Sequence, residues 1–67
     1  MTNILKVIEV LAESEKGWED AAAQAVAKAA KTLNNIRSIY IENFEAKVEK
    51  NKIVSYRVNA KISFILE

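Results

Sequence analysis

A chain of 67 residues makes one domain, and a domain of that size buries only about 60% of the surface that its unfolded form exposes, so it is marginal alone. The absence of Cys and His rules out disulfides and the usual zinc ligands, which leaves oligomerisation as the favoured source of extra stability. Ten basic and nine acidic residues are interspersed for a net charge of +1, unlike the clustered basic face of a nucleic-acid binder, and no run approaches the roughly 20 apolar residues of a membrane span.

The N-terminal MTNILKVIEV carries Lys6 and Glu9 inside its apolar stretch, so it does not read as a signal peptide, and the cytoplasm is the simplest location. Residues 4–11 are short, β-branched and nearly continuous in apolar side chains, which predicts a first strand. Residues 13–17 break that pattern. A helix is predicted over 18–33, because seven of the ten residues from 21 to 30 are Ala, the best helix former. Gly17 is the expected N-cap with Asp20 at N3. Glu19 and Asp20 in the first turn, with Lys28 and Lys31 toward the last, suit the helix dipole. Asn34 and Asn35 can end the helix, since Asn tolerates the left-handed conformation. The expected packing face is Trp18, Ala22, Ala25, Val26, Ala29 and Leu33, whose small middle lets the helix sit close in the hollow of a curved sheet.

A second strand is predicted over 36–48. Its alternation slips at Asn43-Phe44-Glu45, and a β-bulge there explains both the slip and a strong curvature. Glu49-Lys50-Asn51-Lys52 reads as a tight hairpin turn, with Asn51 able to take positive φ. From residue 53 to 66 the alternation is complete. Val54, Tyr56, Val58, Ala60, Ile62, Phe64 and Leu66 point one way; Ser55, Arg57, Asn59, Lys61 and Ser63 point the other. Such a strand spans about 45 Å, more than a chain this short can cover by itself. The order is β-α-β-β, an α+β fold with a curved three-stranded antiparallel sheet wrapped on one helix, and the uncovered surface points to an oligomer.

Several stretches, in this order and at this chain length, resemble the dodecins: LKVIEV at 5–10, Ser14, Trp18-Glu19-Asp20-Ala21-Ala22, Lys31-Thr32-Leu33, Lys52-Ile53-Val54-Ser55-Tyr56-Arg57-Val58 and Ile62-Ser63-Phe64. The resemblance covers essentially residues 1–67. It implies a steep antiparallel sheet partly wrapped round the helix, twelve subunits in a hollow homododecameric shell, and binding of a flavin (riboflavin, FMN or lumichrome) for storage or sequestration. In that family a Trp at the start of the second strand stacks on the flavin ring and a Gln on the third strand hydrogen-bonds its polar edge. This sequence departs at both places, with Ser38 at the Trp position and Arg57 at the Gln position. Ser38 has no π-face, and Arg57 offers donors only.

Catalysis finds no support in the residues. There is no His, Cys, Gly-rich loop or metal-ligand spacing, and Glu42, Glu45 and Glu49 read as solvated charges facing lysines rather than as an acid–base pair or a calcium loop. Ser38, Tyr40 and Glu42 share one strand face, and Arg57, Asn59 and Lys61 share another. Together they are expected to form a polar surface opposite the helix, holding either a salt-bridge network between subunits or a ligand pocket. Arg37, Ser38 and Arg57 are the candidate ligand-binding residues, since a guanidinium plane can stack on a flat ring. Trp18 is expected to be a structural anchor at the helix start. The sequence thus points to a non-catalytic shell that binds a flavin-type molecule, or to a flavin-free shell that serves structurally or binds another small ligand or ion. The partner is the chain itself, without nucleic acid or membrane.

Overall fold

The computed structural model describes residues 2–66. Strand β1 (Leu5–Ser14) leads to helix α1 (Trp18–Ala29), followed by strands β2 (Ile36–Glu49) and β3 (Lys52–Ile65). The sheet order is β1-β3-β2, and β3 is antiparallel to both neighbours. The two-faced strand read from the sequence is therefore the central one. The α1 crossover carries the chain from one edge of the sheet to the other.

The register explains the division of faces. On the helix side, Ala12, Val10 and Ile8 of β1 oppose Val58, Ala60 and Ile62 of β3, which in turn oppose Phe44, Ile41 and Ile39 of β2. Val58, Ala60, Ile62 and Ala21 of α1 are fully buried. Burying a Val or Ile side chain contributes about 1.5–3 kcal/mol, so this small cluster is the centre of the protomer's core. Ala21, absent from the face expected of the helix, is the α1 residue most deeply buried, while Ala22, Ala25, Val26 and Ala29 are half-buried. The expected stripe is right in direction and off by a fraction of a turn: the helix rolls so that Ala21, beside Ala22, is the residue closed off from solvent.

Three boundaries differ from the sequence expectation. First, β1 runs on through Ala12, Glu13 and Ser14, which pair with Val58, Arg57 and Tyr56. Pairing with a long central strand overrides the weak β-propensity of this segment. Second, α1 ends at Ala29. Residues 30–32 continue in a turn, with Lys31 N–H donating to the Lys28 carbonyl (3.2 Å) and Thr32 N–H to the Ala29 carbonyl (3.1 Å), the i→i−3 tightening common at helix ends. Asn35, at φ 61, makes the left-handed bend into β2. Third, the β2 register slips between Ile41 and Asn43, one residue before the slip seen in the alternation. Glu42 is the extra residue, so Glu42 and Asn43 both lie on the side away from the helix, between inward Ile41 and Phe44. Lys50 (φ 53) and Asn51 (φ 66) form the β2–β3 turn with both central residues left-handed, the geometry that matches strand twist.

Gly17 precedes α1 at φ 155 and ψ 174, a region open essentially to glycine, and no side chain caps the helix there. Ala21 N–H makes the first helical bond, to the Gly17 carbonyl at 3.0 Å.

The protomer is long and thin, 52 × 20 × 13 Å, with a radius of gyration of 13.8 Å. A compact chain of this length has a radius near 11 Å. It exposes 5231 Å², where a compact monomer of 7.5 kDa exposes about 4,200 Å². Among the described residues, no helix is long and apolar enough to cross a membrane.

Candidate ligand-binding face

The face of the sheet opposite the helix carries Ser38 and Tyr40 of β2 and Arg57, Asn59 and Lys61 of β3, the polar rows read from the sequence. Its rows run across all three strands: Val7, Ser63 and Ser38; Glu9, Lys61 and Tyr40; Glu13, Arg57 and Glu45. It is not uniformly polar. Leu5, Val7 and Leu11 of β1 are 51%, 53% and 64% exposed, which leaves apolar side chains along an open edge of the sheet.

Arg57 is the electrostatic centre of one end. Its Nη1 donates to Glu45 Oε1 at 3.0 Å and its Nη2 to Glu13 Oε2 at 3.4 Å. One guanidinium thus bridges the two outer strands across the middle one. The hydrogen bond to Glu45 and then the Glu13 charge hold Arg57 above its ordinary pKa, which adds to a guanidinium that is already always charged. The side chain is 37% exposed through its fork, while Nε lies against the sheet without a partner among the described residues. Glu13, Glu45, Ala46, Lys47, Ser55 and Arg57 line an open groove of about 280 Å³.

Ser38 lies elsewhere on the same face. Its Oγ shares a 2.6 Å hydrogen bond with Ser63 Oγ. Ser63 is six residues along β3 from Arg57, a separation of about 20 Å. Arg37 is exposed, in the register shift between Ile36 and Ser38. One protomer therefore does not unite Arg37, Ser38 and Arg57 in one pocket: Arg37 and Ser38 stand at one end and Arg57 at the other.

The glutamates pair as solvated charges. Glu42 meets Lys61 at 3.2 Å and Glu49 meets Lys47 at 3.5 Å, whereas Glu45 takes Arg57 rather than a lysine. Among the described residues, no group of three or more acidic, His or Cys side chains is placed to hold a metal ion. Glu13 went unnoticed from the sequence because its partner is 44 residues away and only the β1–β3 register joins them.

On the helix side, Trp18 is the anchor. Its ring stands edge-on to Tyr56 (centroids 4.9 Å apart, 76°) and to Phe44 (5.8 Å, 77°), and its Nε1 donates to the Glu45 carbonyl at 3.0 Å. Ser14 Oγ donates to Asp20 Oδ2 at 2.6 Å and accepts from Lys16 N–H at 2.9 Å, tying the end of β1 to the first turn of α1.

The sequence profile of the dodecin family matches residues 4–67. The chain belongs to the dodecin family. It is similar to the calcium dodecin of Mycobacterium tuberculosis, with 31% identity over 62 residues, covering 92% of this chain and 87% of that one. Its fold superposes on a crystal structure of a Thermus thermophilus dodecin variant with a TM-score of 0.92 and 27% identity, over 98% of both chains. A crystal structure of the Mycobacterium tuberculosis calcium dodecin, described as having a novel calcium-binding site, superposes with a TM-score of 0.82 and 30% identity, over 96% of this chain and 91% of that one. The β-α-β-β subunit with its curved antiparallel sheet is thus a dodecin subunit.

Proposed function

We propose that this dodecin is a non-catalytic homododecameric shell, one domain per subunit, that binds and buffers a flavin-type small molecule. The supporting observation is the open sheet face itself. It carries apolar Leu5, Val7 and Leu11 beside polar Ser38 and Arg57, and the thin protomer leaves it uncovered. Packing copies over the apolar rows places the polar ones between subunits, where a planar ligand can be enclosed. Because Ser38 and Arg57 stand about 20 Å apart in one protomer, a site that uses both draws them from different copies. Ser38 supplies no ring to stack on a flavin, so binding is weak.

A second reading, a flavin-free shell that takes another small ligand or an ion, has its own support. Position 38 is a serine already hydrogen-bonded to Ser63, and a relative with 31% identity is named a calcium dodecin. Carboxylates for an ion would have to come from several copies, as no acidic group of three gathers among the described residues of one.

Titration of riboflavin, followed by quenching of its fluorescence, separates the two. Saturable quenching at micromolar or weaker affinity supports the flavin reading. No quenching up to millimolar protein, together with a melting temperature that rises with added calcium, supports the second. Ligand binding to the folded form alone raises the melting temperature by mass action.

A further inference from the structure

The first turn of α1 touches both strands that carry the partners of Arg57, and touches them next to those partners. Trp18 Nε1 bonds the carbonyl of Glu45, whose carboxylate grips Arg57 on the opposite face of the sheet. Asp20 accepts from Ser14, the neighbour of Glu13, whose carboxylate grips Arg57 from the other side. The edge-on contacts of Trp18 fix the same place from within: Phe44 precedes Glu45, and Tyr56 precedes Arg57.

We propose that Trp18 and Asp20 are positioning residues for the Arg57 site: from the helix side they set the strands that place Glu45 and Glu13 on either side of the guanidinium. The physical need for such a clamp is plain. Glu13 and Glu45 are long, exposed side chains, and an exposed ion pair loses much of its gain to side-chain entropy. The strand beneath Glu45 also follows the Glu42 bulge, where the ladder is disrupted and the chain can bend. A hydrogen bond to the Glu45 backbone holds what the ladder alone leaves loose. In this arrangement Arg57 is pre-set before any ligand arrives, which lowers the ordering cost of binding. The role rests on reading the outer face as the ligand face, but its first test needs no ligand.

That test measures the coupling between Arg57 and Glu45 from the unfolding of the assembled protein, using Arg57→Gln, Glu45→Gln and the double variant, and repeats it in a Trp18→Phe background. Phe keeps an aromatic ring against Tyr56 and Phe44 and removes the N–H donor together with the second ring of the indole. The expected result is a measurable coupling in the unmodified protein that is lost with Trp18→Phe, while the Lys61–Glu42 coupling, on the same face but away from Trp18, is unchanged. Equal Arg57–Glu45 coupling in both backgrounds, or none in the unmodified protein, overturns the proposal for Trp18. For Asp20, the Arg57–Glu13 coupling should be lost in Asp20→Ala and kept in Asp20→Asn, which retains the acceptor; retention in both overturns that half. If Trp18→Phe fails to assemble, the unmodified Trp18, the single Trp of the chain, serves as the probe. Its emission should shift in Glu45→Gln and Arg57→Gln and stay put in Glu42→Gln; no shift in the first two overturns the role. Riboflavin titration of the same variants then separates the two ideas. A clamp that passes while no ligand binds leaves positioning intact and removes the flavin reading.

Discussion

On the proposed flavin reading, Ser38 is the residue that sets how well this face holds a flat ring. An aromatic partner contributes about 0.5–1.5 kcal/mol beyond the area it buries, and the buried area adds more. Each 1.4 kcal/mol is a factor of ten in affinity, so a serine here is expected to weaken flavin binding at least tenfold relative to a tryptophan. Ser38→Trp, with Arg57→Gln to supply both a donor and an acceptor, should therefore raise riboflavin affinity at least tenfold in a quenching titration. Submicromolar binding by the unmodified protein would refute the need for a ring at position 38. No gain in the double variant would mean that the site is closed by something other than the missing stack. Arg57→Gln also releases Glu13 and Glu45, so the single Ser38→Trp variant is the control that keeps the ion triad. A second residue-scale test concerns Gly17. A Cβ added there meets nothing within 4 Å, yet φ 155 is a conformation that other residues rarely adopt. Gly17→Ala should destabilise the protein by about 1–3 kcal/mol through backbone strain alone, seen as a lower midpoint in chemical unfolding. An unchanged midpoint would show that the chain can re-form the helix start at no cost.

At the scale of the elements, the alanine-rich helix is the sharpest case. Ala21 is fully buried against the sheet, whereas Ala23 and Ala27 face outward. Ala21→Leu is expected to overpack the interface and cost about 1–3 kcal/mol, while Ala23→Leu should stay within about 0.5 kcal/mol of the parent. Equal melting temperatures for the two variants would mean that the helix is free to roll. The sequence located this helix and nearly located its face, because Ala content and a 3.6-residue period are local signals. The central strand was legible for the same reason, since a period of two needs no knowledge of partners. The end of β1 was not, because Ala12-Glu13-Ser14 has little strand character of its own and is held by pairing with residues 56–58. The bulge showed as a slip in alternation, but its position, at Glu42, follows from which carbonyls pair across the ladder. The same limit applies to the site. Arg57 could be put on a polar face from its neighbours in sequence, whereas its two partners come from strands 12 and 44 residues away.

The whole molecule exposes more surface than its mass requires. The protomer exposes roughly 1,000 Å² more than a compact chain of its mass, and its exposed apolar side chains lie on both faces of the sheet: Leu5, Val7 and Leu11 on one, Phe44 on the other. Standard stable interfaces bury about 800 Å² per partner, so the excess is of the size that one good contact removes, and the two-sided distribution calls for more than one contact. On the proposed shell reading, neighbouring copies cover both faces, which a single two-fold contact does not do. Folding and association should then be inseparable, and the unfolding midpoint should rise with protein concentration. Light scattering is expected to give about 90 kDa, twelve copies of the 7.5 kDa chain. Replacing one apolar row tests which face matters. Leu11→Lys puts a charge where the β1 edge is most exposed, and it should lower the mass and the midpoint together, because a buried unpaired lysine is costly in an interface and harmless on a free surface. A folded monomer of the unmodified protein at micromolar concentration would show instead that the thin sheet stands alone, and the shell would have to be abandoned.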